Sequence, residues 1–432
     1  MQQTIGKYRW TICALIFFAT TINYLDRAVI GLLKGELETE FKWTESDYSK
    51  IVIAFQLAYA SGMLIVGRFI DRVGTKLGYA IAIVLWSIAA AGHAFVKNTI
   101  GFIIARAGLG LSEAGNFPAA IKTVAEWFPK KERAFATGLF NSGANIGAIV
   151  APLTVPLISA SWGWQWAFIL TGLTGFIWLI FWFRFYEIPA RQKRLSRAEF
   201  EYIHSDKDEE IVDNDKAGTP VSWIKLLGFR QTWAFILGKF LTDPVWWFHL
   251  FWLPAFLKAE YGIEGTGMAL PIALVYCIST VGSIWGGWLP MKFIESGRPV
   301  YRSRKTAMLI YACLALPVVF AQYLGSFNMW LAVGIIGLAT AAHQAWSANI
   351  FTTVSDMFPK KAVASVTGMG GMAGALGGIL IAWAAGMLLD YFRASGKLET
   401  GYYVMFLICG SAYLLAWLIM HVLVPKMKRV EL

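Results

Sequence analysis

Charged side chains are scarce in this sequence. Of its 432 residues only 15% are Asp, Glu, Lys or Arg, where a soluble domain carries roughly 25%. Too few polar groups remain to coat a water-facing surface, which excludes an ordinary soluble enzyme. Cysteine is equally sparse. Cys13, Cys277, Cys313 and Cys409 all fall inside apolar stretches and share no paired spacing, so no disulfide frame or zinc site is expected. The five histidines are scattered, without an HExxH or similar cluster. No metal and no cofactor is expected, and no nucleophile–base pair marks an enzyme.

Long apolar runs take the place of the missing charge: 57% of the residues are hydrophobic. About 20 apolar residues cross a bilayer core as a helix, and only helices or closed barrels satisfy every backbone group in lipid. The runs are continuous rather than alternating, which selects helices over a barrel. They predict spans at 8–33, 48–70, 78–97, 100–127, 133–158 and 163–186, then at 229–258, 267–294, 304–324, 327–355, 363–390 and 401–424. The expectation is an all-α membrane protein of twelve helices. Residues 1–186 and 229–432 form two six-helix bundles, joined by a cytoplasmic linker at 187–228. The first run is too long for a signal-peptide core and reads as a retained span.

The net charge of +11 does not indicate nucleic acid. Its basic residues crowd short loops on one side of the predicted spans, among them Lys7, Arg72, Lys130, Lys131, Arg302, Lys360, Lys361 and Lys428. The opposite loops hold few, such as Lys42, Lys97 and Lys397. This asymmetry places both termini in the cytoplasm. The linker carries Asp206, Asp208, Glu209 and Glu210 and reads as a solvated segment with a surface helix.

An internal repeat supports the two halves. Residues 126–138 read EWFPKKERAFATG and residues 356–368 read DMFPKKAVASVTG, and at the same offset Gly147 matches Gly377. Two bundles of common origin rock about a site at their interface near the midplane.

Charge inside a span is expensive, about 2.5–3.5 kcal/mol at the helix centre, and therefore marks function. The first span carries Asp26 and Arg27, and the fourth carries Arg106 and Glu113. Arg106, Glu113 and Asn116 share one helix face. Two guanidiniums at similar depth make a fork suited to a carboxylate, and acids held between burial and arginine suit proton binding and release. A set of ion pairs that only holds helices together is the alternative. Lys239 and Asp243, spaced i, i+4, neutralise each other or serve a site. Trp247 offers an aromatic face to a sugar ring. Tyr59, Asn141, Asn145, Gln344, Ser347 and Asn349 are neutral polar groups inside spans that suit hydroxyl recognition, and His343 reads as structural. The loop GRFIDRVGTK, with Gly67, Asp71, Arg72 and Gly74, reads as a tight turn that docks against the other bundle.

GRFIDRVGTK resembles the loop between the second and third spans of the major facilitator superfamily. NYLDR (23–27), GLSEAGNFP (110–118) and EWFPKKER (126–133) are similar to the anion:cation symporter family. LTDPVWWFHLFWLP (241–254) and SDMFPKKAVASVTGMGGMAG (355–374) resemble bacterial hexuronate transporters. The resemblance implies the major facilitator fold, anion handling by Arg27, Tyr59 and Arg106, and proton coupling by Asp26 and Glu113. Where related hexonate carriers have a Gln near the sugar, this chain has NSGANIG (141–147), with Ala144 or Asn145 at that place. The expected function is therefore import of a hexuronate anion by proton symport, in a monomer of the bacterial inner membrane that alternates access. A carrier for another organic anion, such as a hexonate or an aromatic acid, is the alternative within transport. A non-transporting sensor is the alternative outside it, although 187–228 is short for an output domain.

Overall fold

The computed structural model of the chain describes residues 5–206, 221–263 and 265–432. The linker acids Asp208, Glu209 and Glu210 lie outside the described residues. The first half builds helices α1 (Tyr8–Leu32), α2 (Lys34–Phe41), α3 (Glu45–Val73), α4 (Thr75–Gly92), α5 (Thr99–Glu113), α6 (Asn116–Trp127), α7 (Lys130–Trp162) and α8 (Trp164–Phe185). The linker contributes α9 (Arg197–Ile203) and α10 (Trp223–Leu227). The second half builds α11 (Arg230–Tyr261), α12 (Ala269–Glu295), α13 (Val300–Ala315), α14 (Ala321–Gly325), α15 (Met329–Met357), α16 (Val363–Ala394) and α17 (Leu398–Leu423). Among the described residues there is no strand.

Ten of these helical stretches are long and apolar enough to cross a membrane. The two other spans, α5–α6 and α11, are those whose sequences carry Arg106, Glu113, Lys239 and Asp243. α5 and α6 are each too short to cross alone, at 15 and 12 residues, and α11 holds Lys239 and Asp243 in its interior. Large apolar side chains such as Ile180, Phe183 and Trp383 remain exposed on the outer helix faces, where a bilayer takes the place of water.

The expected unbroken span at 100–127 is corrected. The helix tightens at Ala114–Gly115, where the Gly115 amide donates to the Ser112 carbonyl at 3.2 Å, three residues back. Glu113 is thus the last residue of α5.

Within the first half α1 packs on α7, α3 on α5 and α4 on α8; within the second α11 packs on α16 and α12 on α15. Between halves, α7 meets α12 and α3 meets α16. The repeat explains this pattern. A Cβ on Gly67 would strike the Ala364 carbonyl, and one on Gly287 would strike the Ala134 carbonyl. Ala134 and Ala364 are themselves repeat mates, so one glycine contact occurs twice across the halves. Gly138 likewise meets Ser283, and its mate Gly368 meets Met63. Gly147 and Gly377 instead each admit the first span of their own half, at the Thr21 and Phe240 carbonyls.

These cross-half contacts lie toward the end of the molecule that carries both chain termini. There Asp71 is buried, accepting from Lys122 Nζ (2.8 Å) and from the Ala364 and Ser365 amides at the start of α16 (3.3 and 2.7 Å). Gly74 ends α3 at φ +88°, a conformation that suits only glycine without strain. Arg72 does not join the dock and is exposed. A second lock is ionic: Asp356 takes Arg304 of its own half (3.0 Å) and Arg133 of the other (3.6 Å). Arg133 also donates to the Ser355 carbonyl at 2.6 Å, and Arg304 to the Lys130 carbonyl at 2.6 Å.

The linker is less solvated than its composition suggests. Glu199 on α9 is 1% exposed. It accepts from the Tyr8 and Arg9 amides (3.0 and 3.1 Å) and from the Arg9 guanidinium (3.0 Å), so it caps α1 from 190 residues away. Asp206 does the same for α7, accepting from the Lys130 amide at 2.7 Å. Each supplies a carboxylate at a helix N-terminus, where free amides and the helix dipole favour it. Replacing Glu199 with Ala should cost about 1–3 kcal/mol of stability, because buried donors lose their acceptor. The check is thermal unfolding of the purified protein, with a fall in melting temperature expected for Glu199→Ala and none for Glu201→Ala, whose side chain is 64% exposed.

Candidate functional site

A cavity of about 610 Å³, open mouth included, lies between the halves. The first half lines it with Tyr24 and Arg27 of α1, Tyr59 and Met63 of α3, Phe117 of α6, and Asn141 and Ala144 of α7. The second half adds Lys239, Asp243, Trp246 and Trp247 of α11, His343, Gln344, Ser347 and Phe351 of α15, and Gly371 and Ala375 of α16.

Arg27 is the cation of the first-half wall. Its Nε donates to Glu113 Oε2 at 3.1 Å and its Nη2 to Asn23 Oδ1 at 3.4 Å. The guanidinium lies over the rings of Tyr59 (4.6 Å), Tyr24 (4.7 Å) and Phe55 (5.1 Å). The contact with aromatic faces offsets part of its desolvation. Glu113 is 0% exposed and its Oε1 has no hydrogen-bond partner among the described residues. Asn23 ties the broken turn to this pair, since its Nδ2 reaches the Glu113 carbonyl at 3.5 Å.

Arg106 and Asp26 stand behind this wall. Arg106 is 2% exposed and its Nη2 donates to the Arg27 carbonyl at 3.2 Å. The expected fork of two guanidiniums facing one ligand is corrected accordingly: only Arg27 lines the cavity. Asp26, one residue round the helix from Arg27, is 1% exposed, and neither carboxyl oxygen has a hydrogen-bond partner within 3.5 Å among the described residues. The Thr171 hydroxyl lies beside it and also reaches the Phe168 carbonyl (3.4 Å). Asp26 is within electrostatic reach of Glu113 and Arg106, so the four charges form one group, layered away from the cavity rather than arrayed on its surface.

The neutral polar candidates divide the same way. Asn141 Nδ2 donates to Gln344 Oε1 at 2.7 Å, and Gln344 Nε2 to Asn145 Oδ1 at 3.4 Å. Asn141 and Gln344 line the cavity, while Asn145 sits behind them at 1% exposure. Asn116 and Asn349 are corrected as hydroxyl readers. Asn116 is held by the Tyr79 hydroxyl (2.5 Å) and donates to Thr20 Oγ1 (3.2 Å). Asn349 donates to the Gly286 and Ala345 carbonyls. Both brace helices away from the cavity.

The second half supplies Lys239 and Asp243, paired at 2.7 Å, with the ammonium 4.0 Å from the Phe351 ring centre. Trp247 lines the cavity as expected. His343 lines it too, stacked on Trp246 (5.2 Å) with Nδ1 2.8 Å from the Tyr413 hydroxyl. Tyr24, Phe117 and Phe351 went unremarked in the sequence, where nothing separates a cavity aromatic from a packing one.

Two helical halves closing on a polar cavity, each with a buried ion pair at its wall, define a multi-span membrane carrier. The chain belongs to the Major Facilitator Superfamily, which it matches over residues 16–382. It is 33% identical to the hexuronate transporter of Escherichia coli over 391 residues, covering 90% of this chain and 89% of that one. It is 34% identical to the galacturonate transporter of Dickeya chrysanthemi over 289 residues, covering 67% and 83%. Among solved structures, the proton:xylose symporter XylE bound to 6-bromo-6-deoxy-D-glucose matches with a TM-score of 0.76 at 17% identity, covering 98% of this chain and 97% of that one. The protein is thus a transporter and not an enzyme.

Arg27 and Glu113 are buried enough that breaking the pair from one side should be costly. Arg27→Met alone leaves a carboxylate stranded, with an expected loss of about 3–5 kcal/mol. Adding Glu113→Gln should restore most of that loss. A double-mutant cycle read by thermal unfolding checks the coupling.

Proposed function

We propose that this transporter imports a hexuronate monoanion, such as galacturonate or glucuronate, by proton symport with alternating access. The observation that carries the reading is Arg27 at the cavity wall. It is a guanidinium held by an acid on one side and flanked by Tyr24 and Tyr59, facing a wall of hydrogen-bonding groups from the other half. The substrate carboxylate docks on Arg27, and Asn141, Gln344 and Ser347 meet hydroxyls, with Tyr and Trp rings against C–H faces. The named relatives that carry hexuronates and galacturonate support this choice of substrate. Of Ala144 and Asn145, the two residues at the place where the resemblance puts a Gln in hexonate carriers, Ala144 lines the cavity.

Coupling follows from competition for Arg27. A substrate carboxylate draws the guanidinium away from Glu113. Glu113 then sits in a dry site without its counter-ion, where the charged form is costly, and it takes a proton. Asp26, buried behind the wall and without an ion pair among the described residues, is the second proton carrier. Protons are the coupling ion and no other cofactor takes part. The protein acts as a monomer in the bacterial inner membrane with both termini in the cytoplasm. The closely packed end described above is then the cytoplasmic gate, held shut by Asp71 and by the Arg133–Asp356–Arg304 cluster.

Reconstituted protein should accumulate labelled galacturonate when the outside is acidic. Glu113→Gln should retain exchange and lower accumulation to what the single proton on Asp26 can drive. An anion carried with one proton moves no net charge, whereas two protons move +1, worth about 2.3 kcal/mol per 100 mV. An inside-negative potential at clamped pH should therefore raise accumulation. Voltage independence removes Asp26 or Glu113 from the scheme, and failure of galacturonate uptake under any gradient removes the substrate.

A further inference from the structure

The Arg27 wall accounts for the carboxylate of the substrate but leaves unexplained a second ion pair in the same cavity. Lys239 and Asp243 lie on α11, the first span of the second half, and both line the space opposite Arg27. A pair that served only to cancel charge would be equally enclosed on both members. It is not: the Lys239 side chain is 5% exposed and that of Asp243 is 18% exposed. Lys239 is tucked over Phe351 and reaches Asp243 Oδ2. Of the two, the Asp243 carboxylate is the more open to the cavity.

The helix behind this pair is shaped for it. A Cβ on Gly374 of α16 would strike the Asp243 carboxylate, and a Cβ on Gly378, one turn on, would strike the Trp247 indole. Asp243 and Trp247 are also one turn apart, so two glycines open two adjacent slots that seat these two side chains. A carboxylate seated on the cavity wall, one helical turn from a seated indole, has a definite chemistry. Carboxylate oxygens accept from hydroxyls, and charge-assisted hydrogen bonds are the strong ones. An indole face packs against the C–H side of a sugar ring while the hydroxyls point to the acid.

We infer that Asp243 is the hydroxyl-reading, specificity-determining residue of the carrier, held in register by Lys239 and paired with Trp247 as a ring platform. This rests on the sugar-acid reading of the site and adds to it a division of labour. Arg27 anchors the carboxylate from the first half, and Asp243 reads ring hydroxyls from the second. Lys239 prevents an unpaired acid from repelling the anion. One ligand thereby bridges the halves only if it carries a carboxylate at one end and hydroxyls at the other.

The test compares two ring acids as competitors of labelled galacturonate binding to purified protein. One is unlabelled galacturonate and the other is oxane-2-carboxylate, which has the ring and the carboxylate without hydroxyls. Two variants are used, Asp243→Asn and the charge-balanced pair Asp243→Asn with Lys239→Gln, so that a folding defect from a stranded lysine is separated from loss of recognition. In both, galacturonate should weaken about 10- to 100-fold, the worth of a hydrogen bond to a charged group, while oxane-2-carboxylate changes less than about threefold. Discrimination between galacturonate and glucuronate should narrow in parallel. A parallel loss for both ring acids in the charge-balanced variant, or no loss for galacturonate, overturns the assignment. Wild-type protein that binds neither uronate sinks the sugar-acid reading itself, a result visible before any variant is made.

Discussion

Glu113 has no solvent exposure and one ionic partner, the Arg27 guanidinium at 3.1 Å. A charge so placed in a membrane interior is tolerable only while its partner stays, and much of the first half is arranged to keep it there. The helix breaks at Ala114–Gly115, so Glu113 ends α5 with a backbone carbonyl that Asn23 can reach. Asn23 also accepts from Arg27, so one amide ties both ends of the pair. Beyond the break Asn116 is gripped by Tyr79 and Thr20, which fixes α6 where the turn would otherwise be loose. Arg27 itself is sheathed by three rings. A site so braced changes state through what happens to the pair, not through general softness.

The opposite requirement holds at the end that bears the termini. There the halves must separate for access to alternate, and their contacts are of a kind that can be released whole. Gly67 against Ala364 and Gly287 against Ala134 are backbone-to-backbone approaches without interlocked side chains. Asp71 adds a reversible lock, its carboxylate taking the first amides of α16 and the Lys122 ammonium. The two contacts are related by the repeat, yet the ionic parts are not. The second half offers no counterpart acid to Asp71, and the Arg133–Asp356–Arg304 cluster serves that side instead. Common origin preserved the glycines, whose role depends on backbone position, and let the charges diverge, since many arrangements of charge can close a gap.

The membrane character, the number of spans and the repeat were legible in composition and periodicity, because the bilayer imposes length and apolarity on every span. Which intramembrane groups carry charge was equally plain. What did not follow was depth around each helix. Asn116 shares a helix face with Glu113, but neither lines the cavity, and Asn116 is taken up by Tyr79 and Thr20. Arg106 matches Arg27 in depth but lies behind it, bonded to its backbone. Asn349 is chemically the equal of Gln344, five residues earlier, yet one faces the Gly286 carbonyl of α12 and the other faces Asn141. A linear sequence states spacing along one helix and leaves unstated which neighbour each face meets. Linker residues were missed for a similar reason: no local signal in 187–228 says that Glu199 reaches back to α1.

Lys239 and Asp243 show the limit most sharply. Their i, i+4 spacing satisfies a structural pair and a functional one equally well, because both need the charges cancelled. The distinction lies in the partner helix, where Gly374 and Gly378 leave room for Asp243 and Trp247. Glycine there has no helix-forming advantage and costs stability relative to alanine. Such a cost is offset where the open slot holds a side chain in a particular place, so the glycine spacing on α16 carries information that the charge spacing on α11 lacks. The first-half pair joins α1 to α5 and the second-half pair lies within α11, so each half brings one buried ion pair to the cavity wall. A ligand that engages both is in contact with the parts of the protein that are hardest to bury and most sensitive to their partners, which is where binding can shift the balance between one closed end and the other.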